Sequence, residues 1–155
     1  MIRPRIIPVI LIEKGYAVKT INFTKAQYVG EPINIVKIFN DKQADEIVVY
    51  DIGISKNNSE INFELVKKLS NETKMPFCYG GGIKSLQDAY KIFSYGVEKI
   101  SLNNLFFENI NKVKELVNIF GSQSIAVTID IEKFSGNYLI HNREDEELYS
   151  LYRRL

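Results

Sequence analysis

Short runs of apolar residues alternate with amphipathic stretches along most of this chain. The runs have the length of strands and predict five of them, at Ile6–Leu11, Ile47–Tyr50, Phe77–Tyr79, Ile100–Leu102 and Ile125–Ile131. A further stretch, Ala17–Phe23, alternates apolar and polar residues after a turn at Gly15. Between the runs, apolar residues recur three and four positions apart, which predicts helices with one buried face.

Strands that alternate with helices form right-handed βαβ units, so we expect an α/β fold with a parallel sheet. The pattern alone does not separate an open doubly wound sheet from part of a barrel.

Local signals predict where several of the helices begin and end. The sequence Gly30-Glu31-Pro32 opens the first helix, because proline fits the first turn, where its missing N–H is not needed. Ser85 and Asp88 have the spacing of a capping box. Gly96 follows the apolar stripe of one later helix, as a left-handed cap does, and Gly121 caps the next.

The pattern changes after Ile131. Residues 138–140 predict a short hairpin strand, and residues 142–155 are mostly charged with a few apolar side chains at helical spacing. We expect one domain over residues 1–141, followed by a charged tail over 142–155 that is helical or frayed. His141 is the chain's single histidine and has no cysteine near it, so we expect no metal site.

Composition and charge argue against several classes of protein. The 155 residues are 45% hydrophobic and 25% charged, which is typical of a globular domain. A formal net charge of +1 provides no one-signed surface for a nucleic acid. No apolar run approaches the ~18 residues that span a membrane. The single cysteine, Cys78, excludes an internal disulfide and fits a reducing compartment, so we expect a cytoplasmic location.

Polar and small residues follow the predicted strands, at the edge where parallel α/β folds bind their ligands. These residues are Asp51, Gly80-Gly81-Gly82, Asn103-Asn104 and Asp130. Three glycines let backbone N–H groups approach an anion, and a helix that starts near Ser85 would add its dipole. The glycines could instead serve a tight turn, although the length of the run favours phosphate binding. Asp130 is either a general acid/base or a cap for the next loop, and Asp51 either contacts a ligand or anchors the rim.

Many motifs occur in the order in which one enzyme family carries them. They include Arg5-Ile6-Ile7-Pro8, Gly30-Glu31-Pro32, Asp51-Ile52, Tyr79-Gly80-Gly81-Gly82-Ile83, Gly96-Val97-Glu98-Lys99, Ser101-Leu102-Asn103, Phe120-Gly121-Ser122-Gln123-Ser124 and Val127-Thr128-Ile129-Asp130. With these motifs the chain resembles the cyclase subunit of imidazole-glycerol-phosphate synthase, over roughly residues 5–140. That family is a (β/α)8 TIM barrel. Its lyase reaction in histidine biosynthesis takes ammonia from a glutaminase partner and splits and cyclises a phosphoribulosyl aminoimidazole-carboxamide ribotide.

The resemblance implies roles for individual residues and no cofactor. A substrate phosphate would be held by Gly81, Gly82, Asn103 and Asn104. Lys19 would lie on a mobile loop over the site, Asp51 beside the substrate, and Asp130 would be one of two catalytic carboxylates. On the opposite face, Arg5, Glu46 and Lys99 would belong to a charged ring around the ammonia entrance. Salt bridges that only stabilise the rim would explain the same three residues.

Two features differ from the family pattern. The second catalytic aspartate falls on Leu11, which cannot transfer a proton, and losing one member of an acid/base pair costs ~10²-fold or more. A complete barrel needs about 250 residues, so we expect an incomplete barrel of about the first five strands, with a sequence that departs from the family after Leu139. Strands one and five would then have unpaired edges, through which the chain could self-associate.

Three functions remain open, so the sequence does not settle whether the chain is an enzyme. The first is a cyclase subunit impaired by Leu11, which binds a phosphorylated small molecule and a glutaminase. Members with leucine at this position resemble paralogues found alongside sugar amidotransferases, which suggests an ammonia conduit for amidation of a surface-glycan precursor. The third is a half-barrel that binds another protein without catalysis.

Overall fold

Five parallel strands form the centre of the larger sheet and confirm the predicted α/β fold. The computed structural model describes residues 3–21, 25–57, 59–134, 137–140 and 143–147. In it the parallel strands are β1 (Val9–Glu13), β4 (Ile47–Asp51), β5 (Phe77–Gly80), β6 (Lys99–Leu102) and β7 (Ile125–Val127). They lie side by side in chain order, which is the arrangement that successive βαβ units produce. The first strand begins three residues later than predicted and the fifth ends four residues earlier.

A β-hairpin covers the outer edge of β1. Strand β2 (Tyr16–Thr20) pairs antiparallel with β1, and β3 (Ala26–Gly30) pairs with β2, so the sheet order is β3-β2-β1-β4-β5-β6-β7. The prediction of an unpaired edge on strand one is therefore wrong, because the chain turns back at Gly15 (φ +83°) and places Tyr16 opposite Glu13. β3 was not predicted, since its residues are mostly exposed and have no apolar alternation.

Helices follow the parallel strands and cover the outer face of the sheet. They are α1 (Pro32–Asp41), α2 (Gly53–Asn57), α3 (Phe63–Glu72), α4 (Leu86–Ser94), α5 (Asn104–Glu108) and α6 (Ile110–Phe120), with a 3₁₀ turn at Ser122–Ser124. The predicted capping box of Ser85 and Asp88 is confirmed, and the glycines that end α4 and α6 both have positive φ, at Gly96 (φ +89°) and Gly121 (φ +86°). Within the part of the chain that the structure describes, no helix is long and apolar enough to cross a membrane.

The hydrophobic core lies between the helices and one face of the sheet. Side chains of a strand alternate between its two faces, and in β1 the buried Ile10 and Ile12 face the helices, whereas Leu11 points to the other side and is half-buried. In α3 and α4, Leu69 and Ile92 are fully buried. Burying one such aliphatic side chain stabilises the fold by about 1.5–3 kcal/mol. The inner face of the sheet is left to line a cavity.

A small antiparallel sheet follows β7. Its strands are β8 (Ile131–Phe134), β9 (Asn137–Ile140) and β10 (Arg143–Glu147), in the order β10-β9-β8. The predicted strand at 138–140 is confirmed, and Ile140 joins the core at 2% exposure. The prediction of a helical or frayed tail is wrong for residues 143–147, because these residues form a strand that pairs with β9. The rest of the tail lies outside the described residues. His141 lies outside them too, so its expected lack of a metal role stays a prediction. The domain boundary at residue 141 also stays a prediction.

Candidate active site

A cavity of about 1210 Å³ lies at the carboxyl ends of the parallel strands. Its walls bring together most of the rim residues chosen from the sequence: Leu11, Asp51, Gly81, Gly82, Asn103, Asn104 and Asp130. Lys19 is not among the lining residues. It lies on β2 with an exposed side chain, and its neighbour Thr20 lines the cavity instead. The carboxyl ends of adjacent parallel strands share one edge of the sheet, which explains why residues far apart in sequence meet here.

Packing requires each of the three glycines after β5. A Cβ on Gly80 would lie 2.7 Å from Cδ1 of Tyr50, and one on Gly82 would lie 2.7 Å from Cγ2 of Ile54. At Gly81, with φ +128°, a Cβ would lie 2.6 Å from the carbonyl oxygen of Asp51. Contacts this short do not occur for real Cβ atoms, so the tight turn accounts for the residue type at all three positions. A second role for the turn then depends on its backbone N–H groups.

Some backbone N–H groups in and after the glycine turn donate to a protein acceptor, and others do not. Among the described residues, no protein acceptor pairs with the N–H groups of Gly82 and Ile83. The next donors along the chain are satisfied: the Asp88 carboxylate accepts from the N–H groups of Lys84 at 3.1 Å and Ser85 at 2.9 Å. The negative charge of Asp88 also offsets the positive end of α4. In the described part of the chain, the N–H groups left without a protein acceptor are therefore those of the turn, at Gly82 and Ile83, and not those of Lys84 and Ser85 before the helix.

Asn103 holds the carboxylate of Asp130 in the cavity wall. The amide Nδ2 of Asn103 donates to Oδ2 of Asp130 at 3.1 Å, which joins the loops after β6 and β7. Asn103 precedes α5, yet its side chain makes no capping hydrogen bond with that helix. The Asn103 side chain donates its hydrogen bond to Asp130 instead. Asp130 therefore stands beside the cavity with one oxygen fixed, in a position where a carboxylate can exchange protons with a ligand.

Asp51 both lines the cavity and anchors the turn that follows β4. Its Oδ1 accepts from the N–H of Gly53 at 3.1 Å. Burial raises the pKa of the Asp51 carboxyl above its ordinary range, the N–H groups of Gly53 and Ile54 act in the opposite direction, and the nearby charge of Glu13 raises it further. The hydrogen bond to the turn supports the anchoring role that the sequence left open.

Three hydroxyl groups below the rim were missed by sequence reasoning. The Tyr50 hydroxyl lies 2.9 Å from Oγ1 of Thr128, and that oxygen also contacts Oγ of Ser101. All three side chains line the cavity. They belong to runs whose pattern indicates only apolar strands. The available signal was spacing, because Ser101 and Thr128 each lie two residues before a rim residue, Asn103 and Asp130, and therefore share its face.

A charged cluster lies at the opposite, amino end of the strands and contains all three residues predicted for it. Glu46 precedes β4 and is buried, with 4% exposure. Nη2 of Arg5 lies 2.7 Å from one of its carboxylate oxygens, and Nζ of Lys99 lies 2.8 Å and 2.9 Å from the two oxygens. The buried Cys78 is nearby. The pKa of its thiol is raised to about 11, mainly by burial and also by the Glu46 charge, while the Lys99 charge opposes the rise.

Parallel βα units around a cavity at the carboxyl ends of their strands are the arrangement of (β/α)-barrel proteins. Comparison with protein families agrees with this class. The chain belongs to the TIM-barrel family described as histidine biosynthesis protein, which it matches over residues 5–153. The expectation that the sequence departs from the family after Leu139 is therefore wrong, because the match continues to residue 153.

Curated relatives support the more specific resemblance seen in the motifs. A "putative imidazole glycerol phosphate synthase subunit HisF" of Leptospira borgpetersenii is 49% identical over 146 residues, 92% of this chain and 58% of the relative. The "putative imidazole glycerol phosphate synthase subunit hisF2" of Pseudomonas aeruginosa is 45% identical over 133 residues, 86% of this chain and 53% of the relative. The "imidazole glycerol phosphate synthase subunit HisF" of Helicobacter hepaticus is 41% identical over 133 residues, with the same coverage. The chain spans somewhat more than half the length of these relatives.

Proposed function

We propose that this chain forms the ammonia-entry and phosphate-binding portion of a barrel subunit that works with a glutaminase. The observation that carries the proposal is the placement of two different sites at the two ends of β4. Glu46 precedes the strand and is held by Arg5 and Lys99, whereas Asp51 ends it beside the glycine turn. At ~3.3 Å per residue the five steps from Glu46 to Asp51 span roughly 17 Å. An ammonia molecule that enters beside Glu46 would reach the rim cavity by that path.

Phosphate binding at the rim rests on unpaired donors and a nearby cation. The N–H groups of Gly82 and Ile83 have no protein acceptor among the described residues, and the side chains of Lys84 and Asn104 line the same cavity. Backbone N–H groups in a glycine turn and a lysine are common phosphate ligands. Because the net charge of the chain is only +1, the attraction for a phosphorylated small molecule is local rather than a property of the whole surface.

Leu11 favours delivery of ammonia over cyclisation of the histidine-pathway substrate. Acid/base chemistry that needs the particular pair of carboxylates at positions 11 and 130 would have only Asp130, since a leucine side chain cannot exchange a proton. Passage of ammonia through the barrel does not need a proton-transfer group at position 11. We therefore favour a conduit that serves another acceptor, such as a sugar precursor of a surface glycan, over an efficient cyclase. Leu11 is the observation that favours this second function.

The test is ammonium-dependent turnover of the histidine-pathway substrate by the native chain, Leu11→Asp and Leu11→Asn. We expect the native chain and Leu11→Asn to be at least ~10²-fold slower than Leu11→Asp, because only the aspartate restores a second proton-transfer group. Leu11→Asn is the matched control, since it changes polarity and shape in the same way without adding a carboxylate. Native turnover equal to that of Leu11→Asp would contradict the conduit.

Docking of the glutaminase can be tested separately from the chemistry at the rim. The native chain and Glu46→Gln would be titrated with a glutaminase subunit of the imidazole-glycerol-phosphate synthase type, and its glutamine hydrolysis measured. We expect the native chain to bind and to change the hydrolysis rate, and Glu46→Gln to weaken this effect. A glutaminase whose binding and rate are unaffected by the native chain would contradict the partnership.

A further inference from the structure

The side chain of Tyr50 crosses the inside of the curved sheet. Three strand spacings of ~4.8 Å, about 14 Å in all, separate β4 from β7 along the sheet. The Tyr50 hydroxyl nevertheless lies 2.9 Å from Oγ1 of Thr128, which follows β7. The ring lies against Gly80, where a Cβ would be 2.7 Å from Cδ1 and 2.8 Å from Cε1 of the ring. Gly80 therefore provides the space that lets the phenol reach across.

The register places this phenol in one row with other inward-facing residues. Tyr50 pairs with Gly80, and Gly80 pairs with Ser101, while Leu11 pairs with Tyr50 on the other side. All four line the cavity. The row lies one step below the rim, because Ser101 is two residues, or roughly 6–7 Å, before Asn103 along the strand direction. It forms the floor of the site that opens at the glycine turn.

The floor is polar, but it is suited to hydroxyl groups and not to a second anion. The Tyr50, Thr128 and Ser101 hydroxyls carry three protons, and the two contacts between them use two. One O–H donor and several lone pairs are left for a ligand. Among the described residues that line the cavity, Lys84 lies at the glycine turn, and no lysine or arginine lies in this row. Leu11 completes the row with an apolar surface.

We propose that Tyr50 is a specificity-determining residue of the rim site, which selects phosphate esters whose carbon chain carries hydroxyl groups. The inference rests on the phosphate site of the proposed function. A phosphate at the N–H groups of Gly82 and Ile83 leaves room for a chain of three to five carbons, on the order of the 6–7 Å rise of two strand residues, before it meets the phenol. Hydroxyls on that chain bond with the Tyr50–Thr128–Ser101 group, whereas a longer ester is stopped by the ring.

The test is isothermal titration of the native chain, Tyr50→Phe and Tyr90→Phe with three probes: inorganic phosphate, n-butyl phosphate and ribose 5-phosphate. The two esters have similar reach and differ in hydroxyl groups. We expect Tyr50→Phe to bind ribose 5-phosphate about five- to tenfold more weakly, the effect of one lost hydrogen bond. Affinities for inorganic phosphate and butyl phosphate should stay within about twofold, the scatter of a neutral change. Tyr90 is half-exposed on α4, so Tyr90→Phe is a matched control that should change none of the three.

Ser101→Ala removes a different hydroxyl of the same group, leaves the ring against Gly80, and should give the same pattern if Tyr50→Phe does not fold. Equal affinity of the native chain and Tyr50→Phe for ribose 5-phosphate would overturn the proposal while leaving the phosphate site intact. A parallel loss for all three probes would also overturn it, since that is the result of general damage. A native chain that binds no inorganic phosphate would refute the phosphate site itself, and the role of Tyr50 with it.

Discussion

Leu11 and Tyr50 lie opposite each other on adjacent parallel strands, and both side chains line the same cavity. The pair places an apolar side chain next to a phenol at the base of the site, where the resemblance carried by the motifs implies a carboxylate at the first position. The hydroxyl of Tyr50 bonds to Thr128, so it is held in place and is not a free substitute for the missing acid. On the proposed function, proton transfer at this site would fall to Asp130, and Tyr50 would influence which molecules fit.

Glu46→Gln should lower the free energy of unfolding by about 2 kcal/mol, because a buried carboxylate that holds two cations is replaced by a neutral amide. The figure is below that of a fully buried pair, since Arg5 exposes 52% of its side chain and Lys99 33%. Urea unfolding at pH 7 measures it. Glu64→Gln is the control: Glu64 pairs with Lys68 on the surface of α3, and its loss should cause no measurable change. Equal effects of the two substitutions would contradict the prediction.

Gly82→Ala should destabilise the fold by about 2–4 kcal/mol, and Gly15→Ala by about 1–2 kcal/mol. Both glycines have positive φ, +70° and +83°. A Cβ at Gly82 would also collide with Ile54, whereas nothing lies within 4 Å of one at Gly15. Urea unfolding of both variants measures the two losses. Because only Gly82→Ala combines positive φ with a collision, the difference between the two unfolding midpoints gives the free-energy cost of the collision. If both variants lose the same stability, Ile54 adapts freely and the turn is not tightly packed.

Cys78 should resist thiol reagents in the folded chain. Burial, with a further contribution from Glu46, raises the pKa of the thiol from 9.0 to about 11, so little thiolate exists at pH 8. A disulfide reagent should react within seconds only after unfolding. The folded state also holds this proton more tightly than the unfolded state, so the thiol's contribution to stability is complete below pH 9 and is lost as the pH rises toward 11.

That loss can be separated from the titration of tyrosines and lysines in the same range by comparison with Cys78→Ala. The free energy of unfolding of the native chain should fall more steeply between pH 9 and pH 11 than that of the variant, because the variant has no thiol to ionise. Parallel curves, or rapid labelling of the folded chain, would show that the thiol is not shielded as the structure indicates.

Asp51→Asn should stabilise the fold at pH 7. Burial raises the pKa of Asp51, so the folded chain holds the ionised form at a cost in free energy that a neutral amide avoids. The amide oxygen can still accept from the N–H of Gly53. The gain should disappear as the pH falls below 3.8, where the carboxyl is protonated in both the folded and the unfolded chain. Urea unfolding at several pH values tests this, and a variant less stable at pH 7 would contradict it.

Long apolar runs and capping signals predicted the parallel strands and the four longer helices, because burial against a sheet requires a repeating pattern. The elements that were missed have no such pattern. β3 is exposed and is held by its pairing with β2, and α2 and α5 have five residues each, too few to show a period. The strand at residues 143–147 is rich in charge, which is typical of a tail, and its pairing with β9 is not visible in the local sequence.

The sequence predicted the residues at the rim of the candidate site but not the hydroxyl-bearing residues of its floor. Residues that directly follow a strand, such as Asp130 and Gly82, can be placed at the carboxyl edge from the strand pattern alone. Tyr50, Ser101 and Thr128 lie within or beside strands, where a single polar residue is usually read as a tolerated exception. Their contact depends on the curvature of the sheet, which brings β4 and β7 together across the interior.

By itself the sequence determined the βα alternation, the residue types at the rim and the family, and it predicted that Leu11 stands where the family has a carboxylate, since each of these depends on residue type and order along the chain. The tertiary structure decided three other matters: that β1 is covered by a hairpin, that Asn103 holds Asp130, and that Tyr50 reaches Thr128. These depend on distances between residues 27 to 78 positions apart, or on how the chain turns back on itself. Local propensity carries no information about such distances, because they are set by the twist and curvature of the packed sheet.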